Sequence, residues 1–291
     1  MGGGWSGRES ACHSERSEES LPCKIEILRS AQNDISKMSP PYDLPWWGWA
    51  LAILGAVLIG VSKSGIAGLG VLSVALFTLI FPARESTGII LPLLIVGDIV
   101  AVLHFRRNAE WSYLIRLAPW AVAGVIVGYF ALGRLDAGLV GKLIGGMLLI
   151  ITALQFWRMR SASNIERAGE ALQYNFWLAA LVGILAGFFT MVSNASGPIM
   201  IVYLLAMGLP KMQFMGTTAW FYFLLNTGKV PLSYNLGLIT PESLTFDLMM
   251  APFAVIGGLL GYQILKRLNQ RVFEQLALGL TAIAALRLLV G

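Results

Sequence analysis

GVSKSGIAGLG, residues 60–70, is the stretch on which the fold turns. It breaks an apolar run with Ser62, Lys63 and Ser64 and with glycines at 65, 68 and 70. A second break, SNASGP at 193–198, falls at the corresponding place in a later apolar run. Lipid offers no partner to free N–H and C=O groups, so unwound backbone inside a bilayer is tolerated only where it lines a cavity or is buried in protein. Interrupted apolar segments at matching places in two halves of a chain are the sequence mark of a transport site near the midplane.

Working outward, apolar blocks run 46–61, 66–81, 86–105, 112–132 and 138–157, and then 176–192, 198–208, 214–233, 244–265 and 272–290. A polar run, Arg158 to Tyr174, separates the two sets of blocks. The halves echo each other in one order. SKSG at Ser62 answers NASG at Asn194, and Phe81-Pro82 answers Leu209-Pro210, with Gly88 and Gly216 six residues after each proline. Asp98 falls opposite Asn226, and Gly124-Val-Ile-Val-Gly-Tyr opposite Gly257-Gly-Leu-Leu-Gly-Tyr. Both of these last runs follow an Ala-Pro-aromatic-Ala step, at Ala118 and Ala251. Expected from this is a duplicated unit: a first repeat at 38–157, a cytoplasmic linker at 158–175 and a second repeat at 176–291.

Orientation follows from basic residues, which collect in cytoplasmic loops. With the linker inside, the inner loops hold Arg106, Arg107, Arg158, Arg160, Arg167, Lys211, Lys266, Arg267 and Arg271, and the outer loops only Arg84 and Arg134. That pattern requires an odd number of crossings per half, so the repeats are inverted. The expected fold is an all-α, polytopic inner-membrane protein of two inverted repeats, each with about five apolar helical segments and opening on a broken or re-entrant pair. Composition agrees: 56% of the 291 residues are hydrophobic and 13% charged, mean hydropathy is +0.71, and a soluble domain carries roughly a quarter charged residues. Tryptophans cluster near block ends (Trp46, Trp47, Trp49, Trp111, Trp157, Trp177), as interfacial belts would place them. The net charge of +5 comes from single or paired basic residues rather than a basic stripe interleaved with aromatics, so no nucleic-acid partner is expected.

Residues 1–37 are polar and rich in Ser, Glu and Arg, and hold Cys12, Cys23 and His13. They lack the apolar core of a secretory signal. CHSERSEES and RSAQND resemble a translated intergenic repeat element, which leaves two readings: a native start at Met38, or a disordered tail. The remaining body has no cysteine and one histidine, His104. Disulfide frameworks, zinc sites and Cys/His catalysis are thereby set aside, and neither a metal nor a cofactor is expected.

Half-helix N-termini at the two breaks would aim free N–H groups and a positive dipole end into the cavity, which favours an anion. The candidate substrate-binding residues are Ser62, Lys63, Ser64 and Gly65 at the first tip and Ser193, Asn194, Ser196 and Gly197 at the second. Thr217, Thr218, Asn226 and Lys229, on block 214–233, complete the set. Each has a plainer reading. Lys63 could be solvated in a cytoplasmic turn, although its match to the Asn194 tip favours a ligand-facing role. Lys229 could snorkel to the outer interface, and the hydroxyls could join helices. Asp98, a carboxylate in mid-membrane, is expected to be a counter-ion to Lys63 or a proton-coupling group. His104 is a candidate relay, set against the ordinary reading of an interfacial histidine.

GVSKSGIAGLG (60–70), LPLLIVGDIVAVLHFRRNAEW (91–111), NASGP (194–198) and GTTAWFYFLLNTGKVPLSYNLGLI (216–239) resemble the sulfite exporter TauE/SafE family. The likeness covers 46–290 and none of the leader. It implies secondary transport of sulfite, of sulfonates such as sulfoacetate, or of related small anions. The partners expected are a small anionic substrate, the lipid bilayer and a coupling ion, proton or sodium. One departure is Gly68-Leu69-Gly70, where many members carry a run of glycines. A passive anion channel and a carrier for carboxylate or phosphonate are the alternatives. An intramembrane enzyme is disfavoured, because the body carries no HExxH, GxSxG or paired catalytic carboxylates.

Overall fold

The computed structural model describes residues 44–132 and 176–273, with Tyr42 and residues 275, 276 and 279 beside them. The leader, block 138–157, the linker and nearly all of block 272–290 lie outside the described residues. The described residues form eight helices and no strand: α1 Trp46–Ser64, α2 Leu69–Ile80, α3 Ala83–Phe105, α4 Trp111–Leu132, α5 Phe176–Ser193, α6 Gly197–Ala206, α7 Lys211–Asn235 and α8 Pro241–Arg267.

Five of them, α1, α3, α4, α5 and α8, are long and apolar enough to cross a membrane. Large apolar side chains such as Leu103, Ile115, Phe130 and Leu248 are exposed along their outer faces, which is the surface lipid would cover. Trp46, Trp111 and Trp177 stand exposed at the starts of α1, α4 and α5, as a belt requires. Trp49 instead packs inward on Phe246, with ring centroids 5.8 Å apart. α7 is 25 residues long yet polar for a span, because Thr217, Thr218, Asn226, Lys229 and Ser233 are buried against protein.

The sequence reads both opening blocks of each half as short, 16 and 16 residues in the first and 17 and 11 in the second; the first half departs from this most. α1 has 19 residues and α5 has 18, whereas α2 has 12 and α6 has 10. At about 1.5 Å per residue the short pair reach about 18 and 15 Å, well under the roughly 30 Å of hydrocarbon. Each half therefore opens on one full-length helix and one half-length helix. Helix α1 runs three residues past its apolar block because Ser62, Lys63 and Ser64 continue its last turn. The chain then turns through Gly68, at φ 103°, a left-handed conformation that glycine adopts without penalty. After α5, Asn194 takes φ 53°, tolerable for asparagine. Pro82 and Pro210, paired by the sequence, occupy the same place: each is the extended N-cap residue of the third helix of its half.

Two pairs of helices pack through close glycine seams. Helices α1 and α8 run parallel through a glycine seam: a β-carbon on Gly60 would overlap the Ala254 carbonyl, and one on Gly257 the Val57 carbonyl. Helices α4 and α5 do the same at Gly124 against Ile184 and Gly187 against Ala121. Between these pairs α3 and α7 cross. Asp98 meets Asn226, Gly88 abuts Leu238, and Gly216 abuts Asn108. Residue numbers fall along one helix as they rise along the other, so α3 and α7 are antiparallel. Small residues at such seams let backbones approach closely where lipid supplies no hydrophobic drive.

Gly187→Ala is expected to destabilise the protein by about 1–3 kcal/mol through overpacking. Gly228→Ala, which would enter open space, should leave the unfolding midpoint unchanged; thermal unfolding in detergent checks both.

Candidate functional site

Lys63 sits in the last turn of α1. Its ammonium lies 2.8 Å from Asp98 Oδ1 on α3 and 4.2 Å from the Tyr222 ring centroid on α7. Asp98 is fully buried, and Lys63 is 12% exposed. The second carboxylate oxygen accepts a hydrogen bond from Asn226 Nδ2 at 2.6 Å. A buried charge is expensive unless paired, and this pairing answers the cost for both residues.

The second half builds its tip with the polarity exchanged. Here the cation, Lys229, stands on the third helix and the amide, Asn194, at the break. Lys229, 1% exposed, donates to Asn194 Oδ1 at 2.7 Å, to the Thr190 carbonyl at 2.7 Å and to Thr190 Oγ1 at 3.2 Å. These are three acceptors for three ammonium hydrogens. Asn194 Nδ2 in turn donates to the Thr87 carbonyl at 2.9 Å, which ties the second tip to α3 of the first half. Each tip is thus anchored to the third helix of its own half, and the two anchors meet where Asp98 contacts Asn226.

Between the tips lies a cavity of about 70 Å³, several times the roughly 10–15 Å³ one water takes on the same measure. Ser62, Lys63, Asn194, Gly197, Thr218 and Asn226 line it. So do Ala67, Gly68 and Gly70, which places the start of α2, like that of α6 at Gly197, on the cavity wall. The rest of the wall is mainly apolar: Val71, Leu94, Ile201, Phe214, Met215 and Ala219.

The other sequence candidates stand outside this lining. Gly65 packs on Gly261. Ser64 is buried, with no partner for its hydroxyl among the described residues. Ser193 donates to the Phe189 carbonyl, and Ser196 makes a long 3.4 Å bond to Tyr222. Thr217 accepts from the Glu110 amide at the start of α4, the glue role foreseen for these hydroxyls. Lys229 lies behind Asn194 and does not snorkel outward. Asp98 lies behind Lys63. His104, six residues or about 9 Å along α3 from Asp98, donates from Nδ1 to the Val100 carbonyl and stacks on Tyr262 at 4.3 Å. These contacts hold its ring against α8.

Tyr222, Thr190 and Thr87 went unnoticed in the sequence. Tyr222 lies one helical turn from both Thr218 and Asn226 on α7, and that i, i+4 spacing is the signal that could have found it. Tyr222→Phe keeps the ring over Lys63 and is expected to unfold in detergent close to the native midpoint. Tyr222→Leu removes a cation–π contact worth about 0.5–2 kcal/mol and should lower that midpoint.

Asp247 was also missed. It is 4% exposed on α8, with both carboxylate oxygens unpaired among the described residues, and it is not part of the cavity lining.

The model of the family described as "Sulfite exporter TauE/SafE" matches residues 52–288. The chain belongs to the sulfite exporter TauE/SafE family. Two curated relatives, each described as "Probable membrane transporter protein MamO", come from Paramagnetospirillum magneticum and Magnetospirillum gryphiswaldense. The first is 24% identical over 299 aligned residues, covering 84% of this chain and 46% of that protein. The second is 24% identical over 216, covering 62% of this chain and 34% of that protein. The chain therefore spans half or less of the length of these relatives. No solved structure matches it. Within this TauE/SafE chain the matched region takes in both tips and the whole cavity.

Proposed function

We propose that the chain is a secondary carrier that moves a small anion, namely sulfite, sulfoacetate or a related organosulfonate, across the bacterial inner membrane. The carrying observation is that Lys63 and Asn194, from corresponding breaks in the two halves, line one cavity. Membership of a transporter family supports carriage over catalysis. The antiparallel crossing of α3 and α7 supports oppositely oriented halves, which alternate access by moving one half against the other around a shared site.

The chemistry suits an oxyanion with a short organic tail. Lys63 and the Asn194 amide line the cavity together with the N-termini of two half-length helices, while Leu94, Ile201 and Met215 offer apolar contact. A sulfonate or sulfite presents three acceptor oxygens to such donors. Small carboxylates and phosphonates are tested as competitors.

The test is counterflow in proteoliposomes. Unlabelled sulfite or sulfoacetate inside should accelerate uptake of the labelled anion outside, with saturation. An unsaturable anion current without exchange would support a passive channel instead.

A further inference from the structure

The Lys63–Asp98 ion pair occupies the binding site proposed above, so an entering anion meets a lysine that already has a carboxylate. We propose that the carrier takes up one proton with each anion and that Asp98 receives it, the bound anion replacing the carboxylate as partner of Lys63. This rests on the carrier reading.

Three observations carry it. First, Asp98 Oδ1 has Lys63 as its one partner among the described residues. An anion bound to the same ammonium stands close to the carboxylate and is repelled by it, a repulsion that one proton on Asp98 removes. Second, the place for that proton exists. Asn226 donates from Nδ2 to Asp98 Oδ2 while its own Oδ1 is buried without a partner. A proton on Asp98 Oδ1 can be donated to Asn226 Oδ1, closing a two-bond acid–amide ring as Lys63 turns to the anion. Third, the charge is unchanged. Empty, the pair of Lys63 and Asp98 is neutral; loaded with a monoanion and a proton, the same groups are neutral again, so both forms can reorient in lipid at equal electrostatic cost.

The surroundings leave Asp98 as the exchanging group. Lys63 faces it from α1, and Tyr222, Asn226 and Lys229 face it from α7. Helix α8 presents Gly258 against Val100 of α3 at this level, with Asp247 about three turns away along that helix. Helix α2 carries no titratable side chain.

The test counts protons. Calorimetric titration of the purified protein with sulfite, in two buffers of different ionisation enthalpy, gives the protons taken up per anion bound. The wild type should take up about one more than Asp98→Asn, and the difference cancels any proton sulfite itself exchanges. In the wild type alone, Kd for methanesulfonate, a monoanion at every working pH, should rise about tenfold per pH unit in the alkaline range; this arm stands even if the variant does not fold. Equal proton counts in the two proteins, or a Kd flat with pH, would overturn the coupling. Loss of both sulfite binding and sulfite counterflow in the wild type would instead sink the carrier reading and the coupling with it.

Discussion

Lys63→Ala is expected to abolish anion counterflow and to destabilise the fold by about 3–5 kcal/mol. The stability loss comes from Asp98: removing one partner of a buried ion pair strands the other, at that cost. Asp98 is fully buried and would keep only its Asn226 contact. The transport loss has a separate cause, the missing ammonium on the cavity wall. Truncating one partner of a buried, hydrogen-bonded charge pair costs about 2–5 kcal/mol, so exchange should fall by about thirtyfold or more. A second substitution separates the two effects. Lys63→Ala with Asp98→Asn removes the stranded charge and should recover most of the lost thermal stability while exchange stays absent. Recovery of exchange in the double variant would mean that Lys63 serves only to neutralise Asp98.

Lys229→Met should be the next most damaging change, by another route. Lys229 does not line the cavity; it holds the residue that does. Methionine fills the space and removes a buried charge, which by itself is favourable. It also strips Asn194 Oδ1 and Thr190 Oγ1 of a donor, and a buried polar group left unpaired costs about 1–3 kcal/mol. The Thr190 carbonyl keeps the Asn194 amide at 3.2 Å. The stability loss should therefore be modest, about 1–3 kcal/mol, while exchange falls at least about tenfold, because Asn194 loses the bond that orients it in its left-handed conformation. Lys229→Gln supplies an amide donor without the charge. Substantial recovery of rate in that variant marks Lys229 as a positioning residue; no recovery would mean that its charge acts on the anion directly. Counterflow rates of the three proteins decide.

Much of this architecture is legible in the chain because lipid makes backbone satisfaction so strict. Gly65, Gly68, Asn194 and Gly197 announce the two breaks, and Pro82 and Pro210 announce the starts of α3 and α7, because each of these residues does something local that its neighbours cannot. Asp98 and Lys63 were legible for a related reason, since a charge in an apolar block needs a partner. What escaped notice depends on three dimensions. The three-residue extension of α1 comes from polar residues that hydropathy assigns to a loop but that α3 and α7 cover. Lys229 reads as a cavity cation or an interfacial one, and only the approach of Thr190 and Asn194 makes it a clamp. Tyr222 is one aromatic among several in Trp220-Phe-Tyr-Phe223, and nothing in its neighbours says which of them faces Lys63. Ser64, Ser193 and Thr217 share the residue types of the site but point their hydroxyls elsewhere, which composition alone does not reveal.

The most direct test of the account is to locate the anion. Crystals grown with selenite, the selenium analogue of sulfite, should show an anomalous peak between the two breaks, within hydrogen-bond reach of the Lys63 ammonium and bordered by Asn194. A peak confined to the basic loop residues Arg106 and Arg107, with the cavity between α1 and α6 unoccupied at saturating selenite, would contradict it.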